Sequence, residues 1–258
     1  MTPENNPARL NKYLSDAGIC SRREADRLIE AGKITIDGHP AVMGQKVLPG
    51  QKVFYEGREV KGDSRLILLA FHKPVGIECT TAADVPDNII DYIRYPSRIF
   101  PIGRLDKNSS GLILMTNKGE LSDRILRGSN YHEKEYEVTV DHPVTAEMIR
   151  LLKNGVEIEL DDGAKKVITR PCFAQATGKR SFRIILTQGL NRQIRRMCEK
   201  LGYHVVSLKR IRVMNILLGN LPEGHYRNVT EAEQRRLMKE LQEEKLPESG
   251  IGEMENEQ

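Results

Sequence analysis

Two apolar runs separated by a polar loop form the most informative pattern in this chain of 258 residues. One run reaches Ile102 and the other covers residues 112–115, and the polar residues 103–111 lie between them. This arrangement predicts a strand, a loop and a second strand. Asp106 lies in the loop, and loops held by rigid neighbours often carry catalytic side chains. Taken alone, the Asp, Asn, Ser and Gly residues of this loop are also typical of an ordinary polar turn.

The amino-terminal pattern predicts two helices and several short strands. Apolar residues recur at helical spacing over residues 8–17. Ser21, followed three residues later by Glu24, is typical of a capping box at the start of a second helix, which Gly32 ends. A strand with an Asp-Gly turn follows at residues 33–39, and another strand at residues 51–55. These elements predict a small compact domain.

A second series of elements begins with an apolar strand at residues 66–71. The pattern then predicts helices at residues 117–127, 145–154 and 191–201, and strands at residues 134–140, 181–187 and 205–217. In the strand at residues 134–140, Tyr136, Val138 and Val140 are expected to share one face. Because helices and strands do not alternate strictly, the pattern predicts an α+β domain with a mixed sheet.

Composition divides the chain into five parts. We expect a disordered lead at residues 1–6, the small domain at 7–62, a polar linker at 63–65 and the larger domain at 66–230. Residues 231–258 are expected to begin as a charged helix and to continue as an acidic, disordered tail, because Pro, Glu and Gly dominate their second half.

Charge is distributed unevenly along the chain. The net charge is +4, but residues 231–258 carry −5, which leaves +9 on residues 1–230. Ten Lys or Arg residues and one acidic residue lie between positions 176 and 216. Clustering of this kind is the usual electrostatic footprint of a partner with a phosphate backbone. A solvated charged face remains the simpler alternative at this point.

Several classes of protein are disfavoured by the sequence. No stretch approaches the roughly 18 apolar residues of a membrane span, and the first residues lack the features of a signal peptide. The four cysteines lie far apart without a Cys-x-x-Cys pair, which argues against a zinc site or a disulfide framework. Neither a phosphate-binding Gly-rich loop nor a His-Glu-x-x-His pattern is present. We therefore expect a cytoplasmic protein with reduced thiols, no membrane partner, no metal and no cofactor.

Three segments of the small domain resemble the S4 RNA-binding domain in their order and spacing. They read Arg-Leu-Asn-Lys-Tyr-Leu at residues 9–14, Cys-Ser-Arg-Arg-Glu-Ala-Asp-Arg-Leu-Ile at 20–29 and Gly-Lys-Ile-Thr-Ile-Asp-Gly at 32–38. The resemblance implies that the two helices dock on structured RNA by shape and backbone contacts. The RNA-binding candidates are then Arg9, Lys12, Ser21, Arg22, Arg23 and Lys33. The alternative is that these cations only keep a small domain soluble.

The larger domain carries a second resemblance. Its segments are His-Lys-Pro-Val-Gly at residues 72–76, Gly-Arg-Leu-Asp at 103–106, Lys-Glu-Tyr at 134–136, Gly-Leu-Asn-Arg-Gln-Ile-Arg-Arg-Met at 189–197 and Leu-Pro-Glu-Gly-His-Tyr-Arg-Asn-Val-Thr at 221–230. Together they resemble a family of ribosomal RNA pseudouridine synthases, in which one branch acts on small-subunit RNA and the B, E and F branches act on large-subunit RNA. The resemblance covers residues 7–230 and is closest to the F branch.

The resemblance implies a role for each candidate residue. Asp106 is the nucleophile, Arg195 keeps its own charge in the closed pocket beside it, and Tyr136 stacks on the uracil and takes part in proton transfer. Among the substrate-binding candidates, Arg104 fills the space that the flipped uridine leaves. Arg192 and Arg196 contact phosphates, and Lys134 contacts the substrate.

The expected partner is large-subunit ribosomal RNA, and a tRNA remains open as a second substrate. We expect the enzyme to act as a monomer.

Two other functions remain open on sequence grounds. A non-catalytic ribosome assembly factor would use the S4-like unit and the basic helix without Asp106, and Tyr136 would then be an ordinary core aromatic. An RNA hydrolase would use paired carboxylates, for which Asp84, Asp87 and Asp91 are candidates. These three acids are more typical of a surface loop and a helix start.

Overall fold

The computed structural model describes the chain over residues 7–61, 65–82, 84–126, 131–160, 163 and 165–243. The predicted lead at residues 1–6 and the tail beyond residue 243 lie outside these ranges. So do residues 63 and 64 of the predicted linker and residue 127 at the end of a predicted helix. Among the residues in these ranges, every helix is too short or too polar to span a lipid bilayer.

Seven helices lie within the described ranges. They are α1 (Leu10–Asp16), α2 (Arg22–Glu30), α3 (Ile89–Ile93), α4 (Gly119–Leu126), α5 (Ala146–Asn154), α6 (Gln193–Lys200) and α7 (Glu231–Glu243). Side chains cap the starts of four helices, since Ser21, Asn88, Thr145 and Thr230 each accept a hydrogen bond from a backbone N–H of the first turn. These bonds satisfy N–H groups that a helix leaves without partners in its own first turn.

Seventeen strands lie within the same ranges. They are β1 (Ala8–Arg9), β2 (Ile34–Ile36), β3 (His39–Pro40), β4 (Lys46–Val47), β5 (Val53–Tyr55), β6 (Arg58–Glu59), β7 (Leu68–Lys73), β8 (Phe100–Ile102), β9 (Ser110–Thr116), β10 (Lys134–Val140), β11 (Glu157–Leu160), β12 (Lys165–Ile168), β13 (Phe173–Gly178), β14 (Ser181–Leu186), β15 (Val205–Val213), β16 (Ile216–Leu217) and β17 (Tyr226–Asn228). The mixture of helices and strands confirms the predicted α+β class.

The small domain packs α1 and α2 against a four-stranded sheet of order β3-β2-β5-β6. Its core contains Leu10, Leu14 and Ile29 from the helices and Ile34 from β2. Asp37 and Gly38 connect β2 to β3 with φ angles of 50° and 83°. Positive φ at both positions is the geometry that an Asp-Gly hairpin turn adopts, as the sequence predicted.

The larger domain is built on a nine-stranded sheet. Its main path runs β13-β14-β10-β15-β9-β7-β17, with β8 paired to β9 and β16 paired to β15. The β9–β15 pair is parallel, whereas the other pairs of this sheet are antiparallel. The two halves of the sheet therefore join at β9 and β15, next to the loop that carries Asp106.

Gly111 makes this junction possible. Its φ angle is +108°, and a Cβ atom added there would lie 2.3 Å from the backbone oxygen of Arg210. Only a residue without a side chain lets β9 and β15 approach this closely. The buried side chain of Arg210 also links the two strands, because its Nε donates a hydrogen bond to the carbonyl of Leu112 in β9 at 2.7 Å.

Tyr136 joins two of the hydrophobic cores. One core lies between α5, α6 and the half of the sheet that contains β14, and the other lies beneath the Asp106 loop, between α3 and β7. The half-buried Tyr136 ring packs against both. The position of this ring is therefore fixed by the same packing that holds the loop.

The strand at residues 134–140 was predicted at its observed bounds, but its alternation is interrupted. The pairing of β10 with β15 shifts register between Glu135 and Tyr136. Glu135 is only 5% exposed, and its carboxylate pairs with Arg183 at 2.6 Å and Arg212 at 2.7 Å. Two guanidinium partners compensate for the loss of water around the buried carboxylate.

The predicted helix at residues 191–201 is shorter in the structure. Arg192 has left-handed backbone angles, with φ of 50° and ψ of 31°, so α6 begins only at Gln193. The β11–β12 hairpin and strand β13 were not predicted. Most of their residues are polar or exposed, which leaves little hydrophobic alternation to detect.

Candidate active site

The Asp106 loop connects β8 to β9 and is held by its own backbone. The N–H of Ser109 donates to the carbonyl of Asp106 at 3.0 Å, and Leu105 is buried in the core beneath the loop. The N–H of Leu105 also donates to Sγ of Cys79 at 3.4 Å. The carboxylate of Asp106 is thus presented from a loop that is fixed on both sides.

The buried ammonium group of Lys73 holds the same loop through a hydrogen bond to its backbone. Lys73 is fully buried, and its Nζ donates to the carbonyls of Pro74 at 2.7 Å, Ile77 at 2.8 Å and Lys107 at 3.5 Å. The N–H of Gly76 donates to the same Lys107 carbonyl at 2.8 Å. Burial lowers the pKa of Lys73, although nearby acidic groups oppose this effect. The His-Lys-Pro-Val-Gly motif therefore supports the residue next to Asp106.

Two guanidinium groups meet the Asp106 carboxylate. Nε of Arg195 and Nη1 of Arg192 each lie 3.7 Å from Oδ2 of Asp106. This distance is an ion pair but is longer than a hydrogen bond. Arg192 is the N-cap residue of α6, without a side-chain capping hydrogen bond, and Arg195 lies in the first turn. Both guanidinium groups therefore reach the carboxylate from the amino end of that helix.

Arg195 also holds the loop itself. Its Nη2 donates to the carbonyl of Asn108 at 2.7 Å and to Oγ of Ser109 at 3.2 Å, and its Nη1 donates to the carbonyl of Val205 at 3.2 Å. Burial lowers the pKa of Arg195, and Arg192 lowers it further, whereas Asp106 raises it. A guanidinium remains charged under these conditions because its ordinary pKa lies far above neutral pH.

A pocket opens in front of the carboxylate. Its polar lining consists of Arg104, Asp106, Ser109, Tyr136, Gln188, Arg192 and Gln193, and its apolar lining of Leu105, Leu186, Leu190, Ile194 and Leu208. Arg104 is exposed, in contrast to the half-buried Tyr136. The pocket thus combines a carboxylate, cations, one aromatic ring and apolar walls, as a site for a planar polar base requires.

Two of the predicted substrate-binding residues lie outside this lining. Lys134 donates to the carbonyl of His132 at 3.2 Å, and burial together with Arg210 lowers its pKa to about 8. Arg196 donates to the carbonyl of Glu159 and to Oδ1 of Asn191 at 3.3 Å. The structure therefore does not bring these two side chains into the pocket.

Three polar pocket residues were missed by the sequence analysis, namely Ser109, Gln188 and Gln193. Gln193 is 4% exposed, and its Oε1 accepts from the N–H of Leu190 at 3.1 Å. Oε1 of Gln188 accepts from the N–H of Arg170 at 3.0 Å. Each of them lies within or near a segment that resembles the family, and this position could have indicated a place in the pocket. Serine and glutamine by themselves suggested no catalytic role.

The predicted RNA-binding residues of the small domain have different surroundings. Arg9, Arg22 and Arg23 are exposed. The hydroxyl of Ser21 accepts from the N–H of Glu24 at 3.1 Å, so it caps α2. Lys33 pairs with Glu56 at 3.0 Å.

Lys12 lies at the contact between the small domain and the larger one. It pairs with Glu120 of α4 and, at 3.9 Å, with Asp16. Nearby, Nη1 of Arg98 donates to the carbonyl and to Oγ of Ser15, both at 3.4 Å. The charge of Lys12 is therefore shared with acids of both domains.

Comparison with known proteins gives consistent matches. The family model for RNA pseudouridylate synthases matches residues 67–200, and that for the S4 domain matches residues 8–53. The dual-specificity RNA pseudouridine synthase RluF of Escherichia coli K12 is 48% identical over 235 residues, which cover 90% of this chain and 79% of RluF. The protein of the same name from Salmonella typhi is 50% identical over 227 residues, covering 87% of this chain and 76% of that protein.

A solved structure shares the fold. A crystal structure described as a pseudouridylate synthase superposes with a TM-score of 0.65 and 25% sequence identity, and the match covers 89% of this chain and 99% of the other. Family models, close relatives and fold point to the same group of enzymes that act on RNA. The chain therefore belongs to the RNA pseudouridylate synthase family, as an RNA pseudouridine synthase with an amino-terminal S4 domain.

Proposed function

We propose that this enzyme converts one specific uridine of large-subunit (23S) ribosomal RNA to pseudouridine in the cytoplasm, with Asp106 as the nucleophile. The observation that carries the proposal is the position of the Asp106 carboxylate, 3.7 Å from guanidinium groups of both Arg192 and Arg195 at a pocket. The two guanidinium groups place positive charge beside the carboxylate group that is proposed to attack the substrate.

The reaction needs no oxidant or reductant. The bond between the ribose carbon and a base nitrogen breaks, the uracil turns, and a base carbon bonds to the same ribose carbon. The proton lost from that base carbon is balanced by the proton gained at the nitrogen. Asp106 forms a transient bond during these steps and is released unchanged, so the chemistry requires neither a metal nor a cofactor.

The other pocket residues fit the handling of a flipped base. Extruding a uridine from its stack costs a few kcal/mol. The exposed Arg104 next to Asp106 is long enough to occupy the gap that the base leaves. Tyr136 offers a flat ring for stacking and a phenol that can move a proton. Lys134 and Arg196 lie outside the pocket, so their proposed contacts are with RNA beyond the target uridine.

The exposed cations of the small domain complete the proposal. Arg9, Arg22 and Arg23 are available to phosphate groups of structured RNA. The proposal of a large-subunit substrate rests on the resemblance to the F branch. Because the relatives are called dual-specificity enzymes, a tRNA is included as a second candidate substrate in the test.

The test is a pseudouridine map of ribosomal RNA and tRNA from cells with and without the gene. Pseudouridine is labelled chemically so that reverse transcription stops at each modified position. We expect one large-subunit signal to disappear on deletion, to return with the wild-type gene, and to stay absent with Asp106→Asn. A signal restored by Asp106→Asn would contradict the assignment of the nucleophile.

A matched control separates the loss of chemistry from the loss of fold. Asp123→Asn removes an exposed carboxylate of α4 and should restore the signal. Purified Asp106→Asn should bind the RNA with wild-type affinity. If deletion changes no RNA, the non-catalytic assembly factor becomes the better account.

A further inference from the structure

Tyr131 is an exposed aromatic residue that lies three positions before the first residue of β10. Its side chain belongs to none of the hydrophobic cores of the described residues, and the residue is 60% exposed. Its φ angle is +53°, in the left-handed region that non-glycine residues seldom adopt. Core packing therefore does not account for the placement of this ring.

Arg170 covers one face of the ring. Its guanidinium carbon lies 4.1 Å from the centre of the Tyr131 ring, well within the range of a cation–π contact. The backbone of Arg170 is fixed as well, because its N–H donates to Oε1 of Gln188 at 3.0 Å. The two side chains therefore form a flat, positively charged surface, which we call the Tyr131–Arg170 platform.

The platform lies at the rim of the active-site pocket. Gln188, which binds the backbone of Arg170, is part of the pocket lining together with Asp106. The register of the sheet agrees with this position, because Lys134 at the start of β10 pairs with Leu186 at the end of β14. The chain before β10 and the chain after β14 therefore lie next to each other at the edge of the pocket.

The chemistry of base flipping creates a need for such a surface. When a uridine leaves its stack, the base next to it loses a stacking partner. Unstacked RNA bases are commonly recognised on aromatic side chains and on guanidinium planes. A tyrosine ring backed by a guanidinium also attracts the phosphate of the same nucleotide.

We propose that the Tyr131–Arg170 platform stacks on the base of the nucleotide adjacent to the target uridine. This inference rests on the proposed function, because it assumes that a uridine enters the pocket. It adds a binding site for a second nucleotide, which contributes to substrate choice through stacking and not through hydrogen bonds to the base. Stacking on a tyrosine is tolerant of base identity, so the site favours an unpaired neighbour over a paired one.

The test uses fluorescence of a stacked base. The probe is an RNA nonamer with uridine at its centre and adenosines around it, in which 2-aminopurine replaces the adenosine on the 5′ or on the 3′ side of the uridine. A fluorescein at one end reports binding separately, so that saturation is known for each protein. The proteins are the full chain as wild type, Tyr131→Ala and Tyr131→Phe.

We expect the wild type to quench one of the two reporters at saturation. Tyr131→Phe should retain the quenching because it keeps the ring, whereas Tyr131→Ala should lose it and should bind about tenfold more weakly, the usual effect of removing one stacking partner. Unchanged quenching in Tyr131→Ala, or no quenching of either reporter at saturation, would overturn the inference. If the Tyr131 ring binds a protein partner and not RNA, neither reporter should be quenched at saturation.

The same proteins distinguish this inference from the proposed function. Binding and quenching need no turnover and can be measured in the Asp106→Asn background. If quenching depends on Tyr131 but no RNA is isomerised, the proposed function fails and the platform stands. If isomerisation is normal and quenching does not depend on Tyr131, only the platform fails.

Discussion

Arg192 and Asp106 form an ion pair in the pocket, with Nη1 of Arg192 3.7 Å from Oδ2 of Asp106. The family resemblance of the sequence implies a phosphate contact for Arg192. In the structure its guanidinium lies as close to the carboxylate as that of Arg195 does. Its side chain lines the pocket and is 47% exposed, so it contacts the carboxylate and also remains accessible from outside.

Replacing Arg192 should therefore affect the chemical step. We expect Arg192→Gln to lower kcat about tenfold, the effect of losing roughly 1.4 kcal/mol of transition-state stabilisation. Arg192→Lys should retain part of kcat because it keeps a positive charge. Steady-state kinetics on the mapped substrate measure both effects. A rise in KM with kcat unchanged would show that Arg192 only contacts phosphate.

Lys73 should be required for both stability and activity. Lys73→Met removes the ammonium donor from the carbonyls of Pro74, Ile77 and Lys107, of which that of Lys107 keeps the N–H of Gly76. We expect the free energy of unfolding to fall by about 2 kcal/mol, which corresponds to roughly 6 °C in Tm. Because one of these carbonyls belongs to Lys107 beside Asp106, kcat should also fall while RNA affinity is kept. The matched control is Lys153→Met, which removes an exposed ammonium on α5 and should change neither Tm nor kcat. Equal Tm values for Lys73→Met and wild type would contradict this prediction.

Lys134 should make stability depend on pH above neutrality. Its folded-state pKa of about 8 lies below the ordinary value of 10.5. The unfolded chain therefore binds more protons between these pH values, and the wild type gains stability from this residue as pH rises from 8 towards 10.5. Below pH 8 the ammonium group of Lys134 is charged in the folded protein, and its burial lowers the free energy of unfolding by the full amount.

The variant Lys134→Met lacks this charge and gives the comparison. Its stability relative to wild type should be greatest at or below pH 7 and should decline as pH approaches 10. Urea unfolding at several pH values measures the difference in free energy of unfolding between the variant and the wild type. The other titrating groups are the same in both proteins, so their contributions cancel in this difference. A difference that is constant with pH would show that Lys134 keeps its ordinary pKa.

Exposed and paired cations of the small domain should differ in their effect on RNA binding. Arg23 is exposed, so Arg23→Ala should reduce the slope of log Kd against log salt concentration by about one, as expected for one lost phosphate contact. Lys12 is already paired with Glu120 and Asp16, so Lys12→Ala should change the slope much less. Identical slopes for both variants would show that the ion pairs of Lys12 do not remove it from the RNA surface.

Much of the local structure followed directly from the sequence. The Ser21 cap, the Asp37-Gly38 turn and the bounds of β10 were predicted because each depends on residues a few positions apart. The strand, loop and strand around Asp106 were predicted for the same reason. The segments that resemble the family also indicated an RNA pseudouridine synthase.

The arrangement of charges depended on tertiary structure. The partner of Arg192 is 86 positions away, and the pair forms only because the parallel contact of β9 with β15 brings the loop against α6. The same sheet order buries Glu135 between two arginines and leaves Lys134 without an acidic partner in the described contacts. Sequence patterns were enough to predict most of the helices and strands and the chemistry that their residues offer, since both depend on short-range interactions. The β11–β12 hairpin and β13, whose residues are mostly polar or exposed, were exceptions. Only the packed sheet decided which charges meet, because electrostatic energy depends on distance in space and on burial, neither of which a sequence position specifies.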